Sequence, residues 1–88
     1  NINLVQRKIY TDKYKVEDKM KELLDRFNNT NIIEFRTIIK ESESKLETVV
    51  TFLALLELIK LRVIIAYQEG NFKEILMKRR VEHEQYRH

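Results

Sequence analysis

An 88-residue chain of which 43% is hydrophobic has the apolar content for one small core and no length for a second. One glycine and no proline argue against a many-turned β architecture, and the lack of cysteine excludes disulfides, thiolate metal sites and cysteine nucleophiles. Lys and Arg outnumber Asp and Glu by 17 to 14, a surplus of three that permits contact with nucleic acid without demanding it.

No charge-free apolar run approaches the roughly 18 residues of a membrane span, so no direct membrane contact is expected. The start, Asn1-Ile2-Asn3-Leu4, has neither Met nor a signal-peptide core, and the chain reads as an excised fragment of something longer. It is expected to hold a single domain over residues 1–88, with a core at about 14–78 and a charged tail at 79–88.

Asn1 to Thr11 alternates weakly and suggests a short strand or lead-in. Val16, Met20, Leu23, Leu24 and Phe27 then fall at i, i+4, i+7, i+8 and i+11, one apolar stripe on a helix. Glu17 and Asp18 suit the positive end of its dipole, and Asn28-Asn29-Thr30-Asn31 stops it by competing for backbone hydrogen bonds. Ile32-Ile33 is long enough only for a bridge of extended chain. Phe35, Ile38 and Ile39 predict a short helix ending near Glu41, and Ser42-Glu43-Ser44 a turn. Ser44 with Glu47 makes a capping box, which predicts a longer helix from about Lys45 to Leu61.

Beyond it, Val63, Ile64, Ile65 and Tyr67 favour a strand. The only glycine lies in Glu69-Gly70-Asn71, where a hairpin turn needs a positive φ. A return strand is predicted over Phe72 to Lys78, with Phe72, Ile75 and Met77 as its apolar members. Arg79 to His88 reads as a frayed or weakly helical tail. Three helices followed by a β-hairpin describe an α+β fold, a winged-helix domain.

Little in the sequence carries chemistry. His83 and His88 lie five apart in the tail, too loose for a structural metal site. The carboxylate pairs belong to helix ends and turns, one glycine cannot build a phosphate loop, and no nucleophile–His pairing stands out. No enzyme activity, cofactor or metal is expected.

The long helix carries the informative excess. Val49, Phe52, Leu53, Leu56 and Ile59 fall on one side, Leu55 and Leu58 lie beside them, and Val50, Ala54 and Leu61 cover much of the back. A surface helix needs one apolar stripe for its own core; a second is packed internally or left for another molecule. Val50, Leu53, Ala54, Leu58 and Leu61 are assigned to the core. Phe52, Leu55, Leu56 and Ile59, with Lys60 at the rim, are assigned to a binding ridge. Such a face offers nothing to a base edge, and Glu57 repels phosphate. Lys60 and Arg62 at the helix end, with Lys73, Lys78, Arg79 and Arg80 on or after the wing, keep a phosphate contact open, but the alternative of a DNA-binding winged-helix transcription regulator is disfavoured. A third option is a domain that pairs only with itself.

The run Phe52-Leu53-Ala54-Leu55-Leu56-Glu57-Leu58-Ile59-Lys60, followed by Gln68, Phe72 and Ile75, resembles the C-terminal domain of the kleisins, in particular their prokaryotic segregation-and-condensation branch. The similarity extends from about Tyr14 to Met77. Two departures are Lys15, where the family often caps the first helix with Ser or Thr, and Lys73-Glu74, where it often has Gly-Asp. The resemblance implies a winged helix that binds protein, docking on the ATPase head of a structural-maintenance-of-chromosomes (SMC) protein to close a ring around DNA. Matched by position in the motif, Phe52 and Leu56 are the residues that the resemblance implies would meet the head. It also implies a ScpB-type or equivalent subunit as partner of the full-length protein, DNA reached only through the complex, and a place in the cytoplasm at the nucleoid.

Overall fold

The computed structural model describes residues 14–81. The expected lead-in over Asn1 to Thr11, both histidines and most of the tail lie outside them. α1 (Val16–Asn29) buries Leu23 and Phe27 from the predicted stripe, with Val16, Met20 and Leu24 half-buried beside them. Glu17 and Asp18 occupy its first turn, but Lys15 at the N-cap gives the helix no side-chain bond. At the other end the Thr30 N–H donates to the Arg26 carbonyl at 2.8 Å, and Asn29 Nδ2 donates to the Asp25 carbonyl at 2.9 Å. Those bonds close the last turn.

The short Ile32-Ile33 stretch becomes a true strand. β1 (Ile32–Glu34) pairs antiparallel with a later strand, Ile33 opposite Met77, and sends Ile33 into the core while Ile32 faces out. α2 (Phe35–Lys40) follows without a break and buries Ile38. α3 (Lys45–Lys60) opens as predicted, with Ser44 Oγ accepting from the Glu47 N–H at 3.1 Å. The return arm of the box is displaced by one residue. Glu47 Oε1 accepts from the Glu43 N–H at 2.8 Å, not from that of Ser44.

α3 closes through two bonds, Arg62 N–H to the Ile59 carbonyl and Val63 N–H to the Leu58 carbonyl, both 2.9 Å. This is a Schellman cap, whose left-handed position usually holds glycine. Here it holds Arg62, with φ 64°. β2 (Ile64–Gln68) and β3 (Ile75–Arg79) then form the hairpin, Ile64 opposite Arg79 and Gln68 opposite Ile75, in an antiparallel sheet ordered β1-β3-β2.

The wing departs from expectation. Gly70 does not take a positive φ, whereas Phe72 does, at 65°. The loop runs from Glu69 to Glu74 and is closed by Gln68 Nε2 to the Lys73 carbonyl at 2.6 Å and Lys73 N–H to the Gly70 carbonyl at 3.2 Å. The chain therefore reverses later than a two-residue turn would make it, and the return strand starts at Ile75. Phe72, expected on that strand, stands fully exposed at the loop tip.

The core gathers Leu23 and Phe27 of α1, Ile33, Ile38, three α3 residues (Ala54, Leu55, Leu58), Ile64 and Met77. α3 makes its broadest contact with α1 and touches α2 and β2 as well. Helix–strand–helix–helix–strand–strand, with that strand order, is the α+β winged helix that the sequence predicts.

Candidate protein-docking surface

At about 100° per residue, α3 divides into two apolar arcs that face opposite ways. Val50, Thr51, Ala54, Leu55 and Leu58 form the inner arc, and all five are buried. Val49, Phe52, Leu53 and Leu56 recur at i, i+3, i+4 and i+7 on the outer arc, which spans roughly 100°. These four are 42–46% exposed, an unusual state for four large apolar side chains in one row. Lys60, one turn beyond Leu56, continues the row with an exposed charge.

Two faces therefore exist, but the boundary between them differs from the one assigned above. Leu55 is only 2% exposed and belongs to the core, so it cannot form part of an outer ridge. Leu53 and Leu61, assigned inward, are exposed, Leu61 at 56% at the very end of the helix. Ile59 is half-buried against the core. Phe52, Leu56 and Lys60 are exposed on the outer arc, joined by Val49 and Leu53. That these four share one side was legible in their spacing; that this side faces away from the core was not. Thr51, the one polar member of the inner arc, is buried as well.

The row does not stop at the helix. Phe52 meets Phe35 of α2 edge to face, with centroids 6.2 Å apart and planes at 74°. Phe35 in turn lines an open groove between α2 and the wing, with Ile39 and the exposed Ile75 as its other apolar walls. Arg36 and Glu74 face each other across this groove at 3.9 Å. The result is a continuous apolar surface with a charged rim, the anatomy of a protein interface.

A partly buried polar contact lies between α1 and α3. Lys19 Nζ donates to Glu47 Oε2 at 2.8 Å and to Glu22 Oε1 at 2.9 Å, and the Lys19 and Glu47 side chains are only 11% and 16% exposed. Burial pulls the Lys19 ammonium downward, but its bonds to Glu22 and Glu47 outweigh that and hold its pKa above the ordinary value. Glu47 is held below the usual carboxylate range, first by the Glu43 N–H and then by Lys19. Arg26 makes a two-pronged bond to Glu41 on the same side of the molecule. Lys19–Glu47 ties α1 to the first turn of α3, and Arg26–Glu41 ties α1 to the end of α2. Among the described residues, no three His, Cys, Asp or Glu side chains gather as metal ligands. No helix among them is long and apolar enough to cross a membrane.

Fold and surface together define a winged-helix domain whose third helix presents an apolar outer face where a DNA reader would carry polar side chains. Comparison with known proteins takes this further. Residues 1–79 match the family described as Segregation and condensation protein ScpA, and the chain belongs to that family, as the resemblance to the prokaryotic kleisin branch implied. Segregation and condensation protein A of Clostridium botulinum (strain Alaska E43) is 49% identical over 78 residues, which cover 89% of this chain and 31% of the relative. The protein of the same name from Clostridium acetobutylicum is 49% identical over 77 residues, covering 88% and 31%. That of Thermoanaerobacter sp. (strain X514) is 43% identical over 70 residues, covering 80% and 29%. The chain thus spans just under a third of the length of these relatives.

Proposed function

We propose that this domain is an adaptor in chromosome segregation and condensation, which docks through the outer arc of α3 on the ATPase head of an SMC protein and helps close the SMC–kleisin ring. The observation that carries the reading is the row Val49, Phe52, Leu53 and Leu56, four large apolar side chains left in water by a fold that has its own complete core. Covering them removes apolar surface from water at roughly 25 cal/mol per Å², before the costs of association. Phe52 at the centre, flanked by leucines and rimmed by Lys60, matches the pattern of an interface hot spot. The names of the relatives, all segregation and condensation proteins, point the same way.

On this reading the domain contributes recognition and no catalysis, and any effect on ATP hydrolysis acts through the partner's head. The full-length protein would work in the cytoplasm at the nucleoid, with a ScpB-type or equivalent subunit beside it. The test is calorimetric titration of the chain with a purified SMC head, together with sedimentation of the chain alone. Phe52→Arg or Leu56→Arg places a charge where the partner must exclude water, and affinity should fall about 100-fold or more. Because both side chains are half exposed in the free chain, the variants should keep wild-type circular dichroism. Folded variants that bind the head as wild type does would refute the reading. A chain that forms stable dimers through this face and ignores the head would replace it with self-association.

A further inference from the structure

A second surface stands apart from the α3 row. Arg62, Arg79 and Arg80 line one pocket, together with Leu61 and Val63 among the described residues. The hairpin creates this cluster from residues about 17 positions apart: Ile64 pairs with Arg79, and the Arg80 N–H donates to the Val63 carbonyl at 2.9 Å. Among the described residues no carboxylate forms an ion pair with any of the three, whereas Lys19, Arg26 and Arg36 all have one. Arg79 does bond Asn28 Oδ1, but that uses one of the five donors a guanidinium offers. Like charges gathered in one place repel one another, and an anion between them relieves the repulsion.

The backbone adds a second, independent sign. Arg62 occupies the left-handed position of the α3 cap, which disfavours any residue with a Cβ. The ordinary reason for a basic residue here, neutralising the helix C-terminus, is weak in this case. Backbone amides of Leu61, Arg62 and Val63 already take the Glu57, Ile59 and Leu58 carbonyls. An arginine held in a glycine position, with no carboxylate partner among the described residues and two other arginines beside it, is best explained by what its guanidinium contacts.

We infer that Arg62, Arg79 and Arg80 form a contact site for the phosphate backbone of duplex DNA. Guanidinium groups suit phosphate because they donate two parallel hydrogen bonds to it. Among the described residues the other walls are Leu61 and Val63, which offer no polar group to select a side chain or read a base. Binding is therefore weak, independent of sequence and driven by counterion release. This contact goes beyond the expectation that DNA is reached only through the complex, and it does not rest on the docking reading, since it shares no residue with the α3 row.

The experiment is fluorescence anisotropy of a labelled mixed-sequence duplex titrated with the chain across a salt series. Three phosphates neutralised give a slope of about −2.7 in log K against log salt, or about a 40-fold loss of affinity between roughly 50 and 200 mM. Each arginine removed should reduce that slope by about 0.9. Arg62→Gly is the decisive single variant: glycine suits the cap, so it should melt no lower than wild type and still bind DNA more weakly. Leu56→Ala should leave DNA binding unchanged. The proposal is overturned if the chain shows no salt-dependent binding, or if the Arg62→Gly/Arg79→Gln/Arg80→Gln variant binds as wild type does. It also fails if Arg62→Gly weakens DNA binding only as far as it lowers the melting temperature, or if polyglutamate of matched charge displaces the duplex at equal concentration, which would assign the pocket to an acidic protein segment.

Discussion

Leu55 and Leu56 are neighbours in sequence and opposites in environment, at 2% and 46% exposure, so truncating each to alanine tests the assignment of the two faces of α3 directly. Leu→Ala removes three carbons. At about 0.8 kcal/mol each, the transfer term alone is about 2.4 kcal/mol for a side chain as buried as Leu55. The neighbours in the core close only partly around the void, which brings the expected loss to about 3–4 kcal/mol. For a chain of this length that is a large share of a total stability of about 4–13 kcal/mol. At about 4–8 °C per kcal/mol, Leu55→Ala should melt at least 12 °C below wild type, or fail to fold. Leu56→Ala leaves no cavity, since water already reaches the side chain, and should cost about 1 kcal/mol at most. Thermal melting followed by circular dichroism measures both. The reasoning is refuted if Leu55→Ala melts within a few degrees of wild type while Leu56→Ala loses more than about 10 °C, because the helix would then present the opposite face to the core.

Arg62→Gly should raise stability by about 1 kcal/mol, read as a melting temperature a few degrees higher, because it relieves a left-handed backbone that disfavours a Cβ. Gly70→Ala should change stability by no more than about 0.5 kcal/mol: the position has an ordinary negative φ, and an added Cβ would lie 3.4 Å from Lys73 Cγ, at the edge of normal contact. Ser44→Ala removes the side-chain cap of α3 and should cost about 1 kcal/mol in a urea titration. Glu47 has a folded pKa below its ordinary 4.5, so its contribution is present above pH 4.5 and is lost as pH falls through the folded value. Lys19 has a folded pKa above its ordinary 10.5, so its contribution is present below that pH and is lost as pH rises through the folded value. The contribution of this pair should therefore be constant between those limits, and Glu47→Gln should make the urea midpoint fall less steeply in acid than it does in wild type.

What the sequence determined by itself is whatever rests on neighbours along the chain. The stripe from Val16 to Phe27, the Ser44 cap and the hairpin order are local matters of helical spacing, an orphan amide and β-favouring side chains, and the structure has all three. The surplus of apolar surface on α3 was legible too, because no helix of that composition can bury its whole girth in so small a fold. Which residues carry the surplus was not. A helix that is apolar all round has no preferred direction, so nothing local separates Leu53 from Leu55. Packing on α1 turned the helix roughly 60° from the assignment made on sequence, drawing Leu55 in and leaving Leu53 out.

The same distinction explains the wing and the arginine pocket. Gly70 looked like the turn residue, yet the bonds that close the loop, from Gln68 to Lys73 and from Lys73 to Gly70, moved the left-handed position to Phe72. Arg62 lies too far along the chain from Arg79 and Arg80 for any spacing rule to join them. Only the register of β2 on β3 brings them into one pocket, because strand pairing converts a long separation in sequence into a distance of one hydrogen bond.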